Sequence, residues 1–461
     1  MDQQDLTTVK ESSVEKSAEQ LLNREKLADF AKTYFSGFSK LSLKERLLRL
    51  KEMGALDDKD YDYLKAGSPV SNDLAEKFIE NTIGFFKLPI GVATNFVVDG
   101  KPVPVPMAVE ETSIIAAASK TAKWVRESGS ITTKVIGKNI IGQVQFAIVK
   151  DPDHFEKVVD QNKVNFINLL NEIPVNGLFK RGGGVTDIQV RRLKRPDAKW
   201  MVVVHIYMDP CDAMGANIMN QACEYLKGPL QDVTGETATM CILSNLVDSR
   251  ITQATVVIED IEPELAHKIE EASLFSWMDP YRAATNNKGI LNGIDPILIA
   301  TGNDWRAVEA GIHAYAARDG QYRSVSRWVR EGSKLIGTFE APLIVGIVGG
   351  VTKLHPMAQV ALRLMAIENS DQLSRICAAV GLVQNLGALK ALTTEGIIEG
   401  HMKLHIKNLT LGAGAQEQEI PMLQRRLEEV LALTKRVTLS NAIEILRELR
   451  AKSARQDLPP S

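Results

Sequence analysis

Apolar residues along the chain fall into stretches of changing period, and each change marks a predicted element. Between Leu41 and Leu64, Leu43, Leu47, Leu48 and Leu50 recur at helical spacing among lysines and glutamates, which predicts short amphipathic helices packed on a core. Two strand-like runs follow, Ala93 to Val98 and Val103 to Val109. They flank Asp99-Gly100, a pair that tolerates the positive backbone angles of a two-residue hairpin turn. The alanine-rich stretch Ser113 to Val125 then reads as a helix, with Glu110 and Glu111 at its start, where the helix dipole favours negative charge.

From Lys138 to Ser244 the pattern predicts strand Ile140 to Val149, helix Asp153 to Leu170, strands Thr186 to Leu193 and Trp200 to Met208, helix Asn217 to Leu226 and strand Ala238 to Leu243. This β-α-β-β-α-β order is that of a ferredoxin-like unit. Glycine-, alanine- and asparagine-rich sequence flanks the block on both sides, so it reads as an insertion. The predicted fold class is therefore α+β: a large mixed helical and sheet domain (26–137 and 245–395) carrying an inserted ferredoxin-like domain (138–244). Val380 to Leu392 reads as a buried helix. A stripe of Leu423, Leu427, Val430 and Leu433 predicts a last amphipathic helix within a C-terminal segment (396–461) that can move independently. Residues 1–25 are polar and read as an arm.

With 461 residues the chain exceeds one core, which agrees with this division. Its net charge of -2 gives no general attraction to phosphate backbones or anionic lipid, so neither nucleic acid nor membrane is an expected partner. Cys211, Cys223, Cys241 and Cys377 lie far apart without a CxxC pair, as expected of free thiols in a reduced compartment. The start, MDQQDLTTVKESSVEKSAEQ, lacks the apolar stretch of a secretory signal. The longest apolar run noted, Leu343 to Val351, is broken by Gly346, Gly349 and Gly350 and falls short of the roughly 20 residues of a membrane helix. A cytoplasmic location is expected.

Three stretches carry candidate chemistry. Asp209-Pro-Cys-Asp-Ala-Met-Gly-Ala-Asn217 joins a predicted strand to a predicted helix, where small residues admit close approach and free N–H groups suit a pyrophosphate. The run from Asp279 through Lys288 to Asn292, with Thr301-Gly-Asn-Asp-Trp-Arg306, concentrates Asn, Thr, Lys, Arg and Asp as converging polar loops would. An ammonium there stabilises an alkoxide formed by addition to a carbonyl. His401 and His405 are four apart but lack the glutamate of HExxH, leaving surface histidines or an acid poised near neutrality. No metal site is expected. No GxSxG, Walker A or strand-preceded GxGxxG motif occurs, which disfavours serine hydrolase, P-loop and Rossmann readings.

Taken together, Glu80-Asn-Thr-Ile-Gly84, Val109-Glu-Glu-Thr-Ser113, Asp212-Ala-Met-Gly-Ala-Asn217, Leu243-Ser-Asn-Leu246, Asp279 to Asn292, Thr301 to Gly311, Gly381 to Leu386 and Gly400-His-Met402 resemble the class II, bacterial type of 3-hydroxy-3-methylglutaryl-coenzyme A reductase. The resemblance covers roughly Lys77 to Ala415. It implies a large domain that binds acyl-CoA, a small inserted domain that binds NADH or NADPH, a C-terminal helical flap, and active sites at the interface of a homodimer or larger assembly. It further implies Glu111, Lys288, Asp304 and His401 as catalytic residues in the interconversion of HMG-CoA with mevalonate and CoA. Lys288 would stabilise the alkoxide, Asp304 would hold Lys288, His401 would protonate the departing thiolate, and Glu111 would deliver a proton to the aldehyde oxygen.

By the same resemblance Ser113, Asn245, Arg282, Asn292 and Gln384 contact substrate, while Asp212, Met214, Gly215, Ala216 and Asn217 form the dinucleotide turn. The chain departs from the family at Thr112, where proline is usual. It departs again at Val175, which an ungapped alignment places where NADH-using relatives have an aspartate for the adenosine ribose. Without that acid, and with Lys180 and Arg181 close by, NADPH is expected over NADH. The competing readings are a relative that binds acyl-CoA without catalysis and a helical scaffold acting through the Leu423 to Leu433 stripe.

Overall fold

The computed structural model describes residues 25–394, 406, 408–434 and 436–456. The first amphipathic stretch forms α1 (Leu43–Glu52) and α2 (Asp58–Lys65), started by Ser42, which forms a reciprocal capping box with Glu45, and by Asp57. Leu47, Leu50 and Tyr61 pack with Phe38 and Leu56 onto Val360 and Leu364. Arg363 fixes the same contact by donating to both oxygens of buried Asp60, at 2.8 and 2.6 Å.

Strands β1 (Ile90–Val98) and β2 (Lys101–Ala108) pair as a two-stranded antiparallel sheet. Its turn is Asp99-Gly100, with φ of 50° and 78°, as the dipeptide predicts. Pro102, Pro104 and Pro106 alternate along β2, a strand with a free edge where the missing N–H groups leave no ladder bond unmade. Helix α3 (Ile114–Ser128) packs against this hairpin and leads into β3 (Gly129–Ile136).

The next block is β4 (Ile140–Val149), α4 (Pro152–Glu172), β5 (Gly184–Lys194), β6 (Trp200–Asp209), α5 (Ala216–Thr234) and β7 (Met240–Ser244). The sheet order β5-β6-β4-β7, antiparallel throughout, is the ferredoxin-like arrangement read from the sequence. Val144, Phe146, Val202, Val204 and Ile206 point to α4 and α5 and form a separate core.

The chain then returns to β3 with β8 (Ile251–Ile258), followed by α6 (Pro263–Met278), α7 (Pro280–Ala300), α8 (Trp305–Ala316), β9 (Ser326–Glu331), β10 (Lys334–Ala341), α9 (Pro356–Leu364) and α10 (Ser370–Thr393). Strands β3-β8-β10-β9 make an antiparallel sheet. Helix α10 is long and apolar enough to cross a membrane by composition, yet 67% of its apolar window is buried in the main core. It crosses α7 at glycines: a Cβ on Gly293 would lie 2.9 Å from Val380 O, and one on Gly381 2.8 Å from Ile294 Cγ1.

Helices α11 (Ile420–Thr434) and α12 (Leu439–Gln456) end the described chain. Leu423, Leu427 and Leu431 bury themselves with Ile406, Leu409, Val437, Ala442 and Leu446, whereas Leu433 is exposed. The stripe thus serves the chain's own C-terminal core, which removes the ground for a scaffold surface.

Candidate active site

The polar run at 279–306 is mostly helix, with a loop only at 301–304. Asp279 caps α7 by accepting from Arg282 N at 3.0 Å, and Pro280 occupies the first turn, where a missing N–H costs nothing. Ala283, Ile290, Leu291, Ile294 and Ile297 then supply a buried face. Asn286 and Asn287 share that face because their amides are satisfied at a distance. Asn286 donates to Ser324 Oγ at 2.7 Å and accepts from Asn385 at 2.9 Å, and Asn287 donates to Tyr322 OH at 3.0 Å. Much of the polar density that suggested converging loops is a buried network. Lys288 lies on the opposite, exposed face.

Lys288 Nζ lies 3.5 Å from Glu111 Oε2, so the structure joins two of the expected catalytic residues across 177 positions of sequence. Glu111 comes from the loop between β2 and α3. Asn292 follows Lys288 by one turn of α7. Asp304 does not hold Lys288 within this chain: twelve residues, about 18 Å of helix rise, separate Lys288 from Ala300 at the end of α7. The Asp304 carboxylate instead caps α8, accepting from Ala307 N at 3.2 Å and Arg306 Nε at 3.3 Å. His401 lies outside the described residues.

Three expected substrate contacts are polar groups with unmet capacity. Ser113 precedes α3 at a left-handed φ of 83° without capping it, and its hydroxyl is buried with no partner among the described residues. Such a backbone costs about 1–3 kcal/mol, so a serine kept there without its usual capping role points to another use. Gln384 on α10 is 8% exposed, with Oε1 unpaired among the described residues. Arg282 is half-buried, makes no ion pair among the described residues, and burial draws its pKa below the ordinary value. An anion would satisfy it. Asn245 is exposed, its backbone carbonyl packed against α8 at Gly311.

A cavity of about 1090 Å³ opens beside Glu111 and Ser113, between the N-terminal helices, the hairpin and α3. Arg46, Lys87, Lys120 and Lys123 line it over mostly apolar walls. These cations were missed in the sequence. Lys120 and Lys123, three apart in a helix following Glu111, carried the only local signal.

In the second expected site, Gly215 stands before α5 at φ 89°, where a Cβ would lie 2.5 Å from Ile140 Cδ1. Asn217 is exposed in the first turn, Met214 and Ala216 are partly exposed, and no side chain caps these N–H groups. The Asp212 carboxylate is engaged by Ser370 N at 2.9 Å. Val175 requires correction: it is 0% exposed within the core of the β4–β7 unit, so its side chain cannot meet a ribose. Lys180 and Arg181, a few residues on, are exposed. Gly183 brings their loop against the turn, since a Cβ there would lie 2.6 Å from Asp209 O.

The profile of the family described as hydroxymethylglutaryl-coenzyme A reductase matches residues 42–406. The 3-hydroxy-3-methylglutaryl-coenzyme A reductase of Archaeoglobus fulgidus is 41% identical over 419 residues, 90% of this chain and 94% of that protein. A probable reductase of the same name from Borreliella burgdorferi is 31% identical over 84% of this chain and 89% of its own length. Among solved structures, the Streptococcus pneumoniae reductase superposes with a TM-score of 0.76 at 38% identity, covering 90% of this chain and 99% of that one. A second structure, of the class II enzyme from that organism bound to NADPH in open conformations, gives 0.75 at 38% identity over 78% of this chain and 99% of its own. Likeness on this scale, with Glu111 and Lys288 in contact beside a large cavity, has one consequence: the chain belongs to the hydroxymethylglutaryl-coenzyme A reductase family.

Proposed function

We propose that this reductase interconverts HMG-CoA with mevalonate and CoA at the Lys288–Glu111 pair, using NADPH bound at the Asp209–Asn217 turn. The pair itself carries the reading: an ammonium and a carboxyl group in contact, on separate elements, at the edge of a cavity large enough for a nucleotide-bearing thioester. Arg46, Lys87, Lys120 and Lys123 suit the CoA phosphates, and Arg282 suits the carboxylate at the far end of the acyl group.

The residues fit a dinucleotide. Uncapped N–H groups at the start of α5 suit its pyrophosphate, and the exposed cations Lys180 and Arg181 suit a 2′-phosphate, which favours NADPH. Two reduced nicotinamides, bound one after the other, would each supply one hydride. After the first addition the thioester oxygen carries a negative charge, and Lys288 stabilises it at Nζ. As the carbon–sulfur bond breaks, the carbonyl re-forms, and the thiolate takes a proton from His401. The second addition places charge on the aldehyde oxygen, which is protonated through Lys288 and Glu111 to give the alcohol.

Asp304, remote from Lys288 within one chain, supports an active site completed by a second copy, hence a homodimer or a larger assembly of dimers. The division into a large domain, a small dinucleotide domain and a C-terminal flap, and a cytoplasmic location, belong to the same proposal. The test follows NADPH oxidation and thiol release together with HMG-CoA as substrate. Two NADPH oxidised per thiol released is expected; tight CoA binding without oxidation would leave an inactive acyl-CoA-binding relative as the better reading.

A further inference from the structure

The glycine-broken apolar run Leu343–Val351 forms an extended strap before a short helical turn, and its contacts fall on both halves of the site. On one side Gly346 N donates to Asn303 Oδ1 at 2.8 Å, immediately before Asp304. On the other, Ile347 N donates to Asp212 O at 2.9 Å. A Cβ on Gly346 would lie 2.5 Å from Met214 N and 3.1 Å from Ala213 C. One backbone thickness thus separates the loop that presents Asp304 from the turn that opens α5.

We propose that Asn303 and Gly346 are positioning residues that set the dinucleotide turn against the Asp304 loop through this strap. The inference rests on the reading of that turn as the NADPH site. Asn303 is itself held, its Nδ2 donating to Thr301 Oγ1 at 3.0 Å and its N to Leu298 O at 2.8 Å. The far flank of the turn is fixed as well: Ser370 N donates to Asp212 Oδ1 and Ser370 Oγ to Cys211 O, at 2.9 and 3.2 Å, while Arg250 donates to Ser370 Oγ at 3.0 Å. Clamped on two sides, the turn cannot absorb a displaced strap by swinging away as a loop would. Its shape must change. A shift of about 1 Å far from the reacting atoms can cost about a hundredfold in rate.

Full-length Asn303→Ala, Asn303→Asp and Gly346→Ala variants test this. Equilibrium titrations give NADPH and HMG-CoA affinities, and steady-state assays give kcat and both KM values. Asn303→Ala and Gly346→Ala are expected to weaken NADPH binding at least tenfold while HMG-CoA affinity stays within twofold. Asn303→Asp, which keeps an acceptor facing Gly346 N, is expected to recover most of the loss. If Gly346→Ala does not fold, the two Asn303 variants decide. Unchanged NADPH affinity in Asn303→Ala, or equal loss for both ligands without rescue by aspartate, would overturn the inference while leaving the reductase reading intact. A wild-type protein that binds neither NADPH nor NADH would overturn both.

Discussion

Lys288 and Asp295 lie two turns apart on α7, and their surroundings give them opposite tasks. Lys288 is exposed and paired with Glu111, whereas Asp295 is mostly buried against Glu309 of α8. Burial first, and then the Glu309 carboxyl group, push the Asp295 pKa from 3.8 to about 8. Cys377 of α10 faces the same spot, and burial raises its thiol as well. In the unfolded chain the Asp295 carboxyl loses its proton near pH 4, while the folded one keeps it to about pH 8. Folded protein therefore binds more protons across that window, and this contribution to stability is present at low pH and lost as pH rises. Asp295→Asn is expected to melt near wild type at pH 4 and progressively above it towards pH 8; a pH-independent difference in Tm would contradict the pairing. Neither this pair nor the Asn286 network was legible locally. Asn286 takes its partners from Ser324 and Asn385, 38 and 99 positions away, so its polar character reads equally well as a loop. Val175 was misplaced for another reason, because an ungapped alignment cannot tell a surface position from a core one.

Among the elements, the β4–β7 unit was readable almost strand by strand, since β4 largely alternates between a core face and an outer face and central β6 is a near-continuous apolar run buried on both. Helix α5 runs to Thr234, past the predicted Leu226, because Leu230 continues the buried face beyond Gly228 and Pro229. The N-terminal helices were equally readable, but not what anchors them. Asp60 is 3% exposed at its side chain and Arg363 47%, so removing either leaves a different residue behind. Arg363→Ala strands a buried carboxylate, at a cost of about 3–5 kcal/mol. Asp60→Ala frees a solvated guanidinium and is expected to cost less. Hydrogen exchange across 43–65 measures both; equal loosening, or none, would show that apolar packing alone docks α1 and α2.

At the scale of the whole molecule, Ile83, Phe86 and Tyr281 stand 104, 90 and 88% exposed, large apolar groups that a partner surface would cover. Sedimentation at micromolar concentration is expected to give a dimer or a multiple of it, and a monomer throughout would contradict a shared site. The pairing that defines the site is a long-range property: periodicity placed Glu111 before a helix and Lys288 in a polar run, and only the fold brings them to 3.5 Å. The most direct measurement compares kcat of wild type and Lys288→Ala alongside HMG-CoA affinity from titration. A kcat lower by about 10²–10³-fold, with affinity within a few-fold, is the result expected of a group that acts on the developing alkoxide. An unchanged kcat in Lys288→Ala would contradict it.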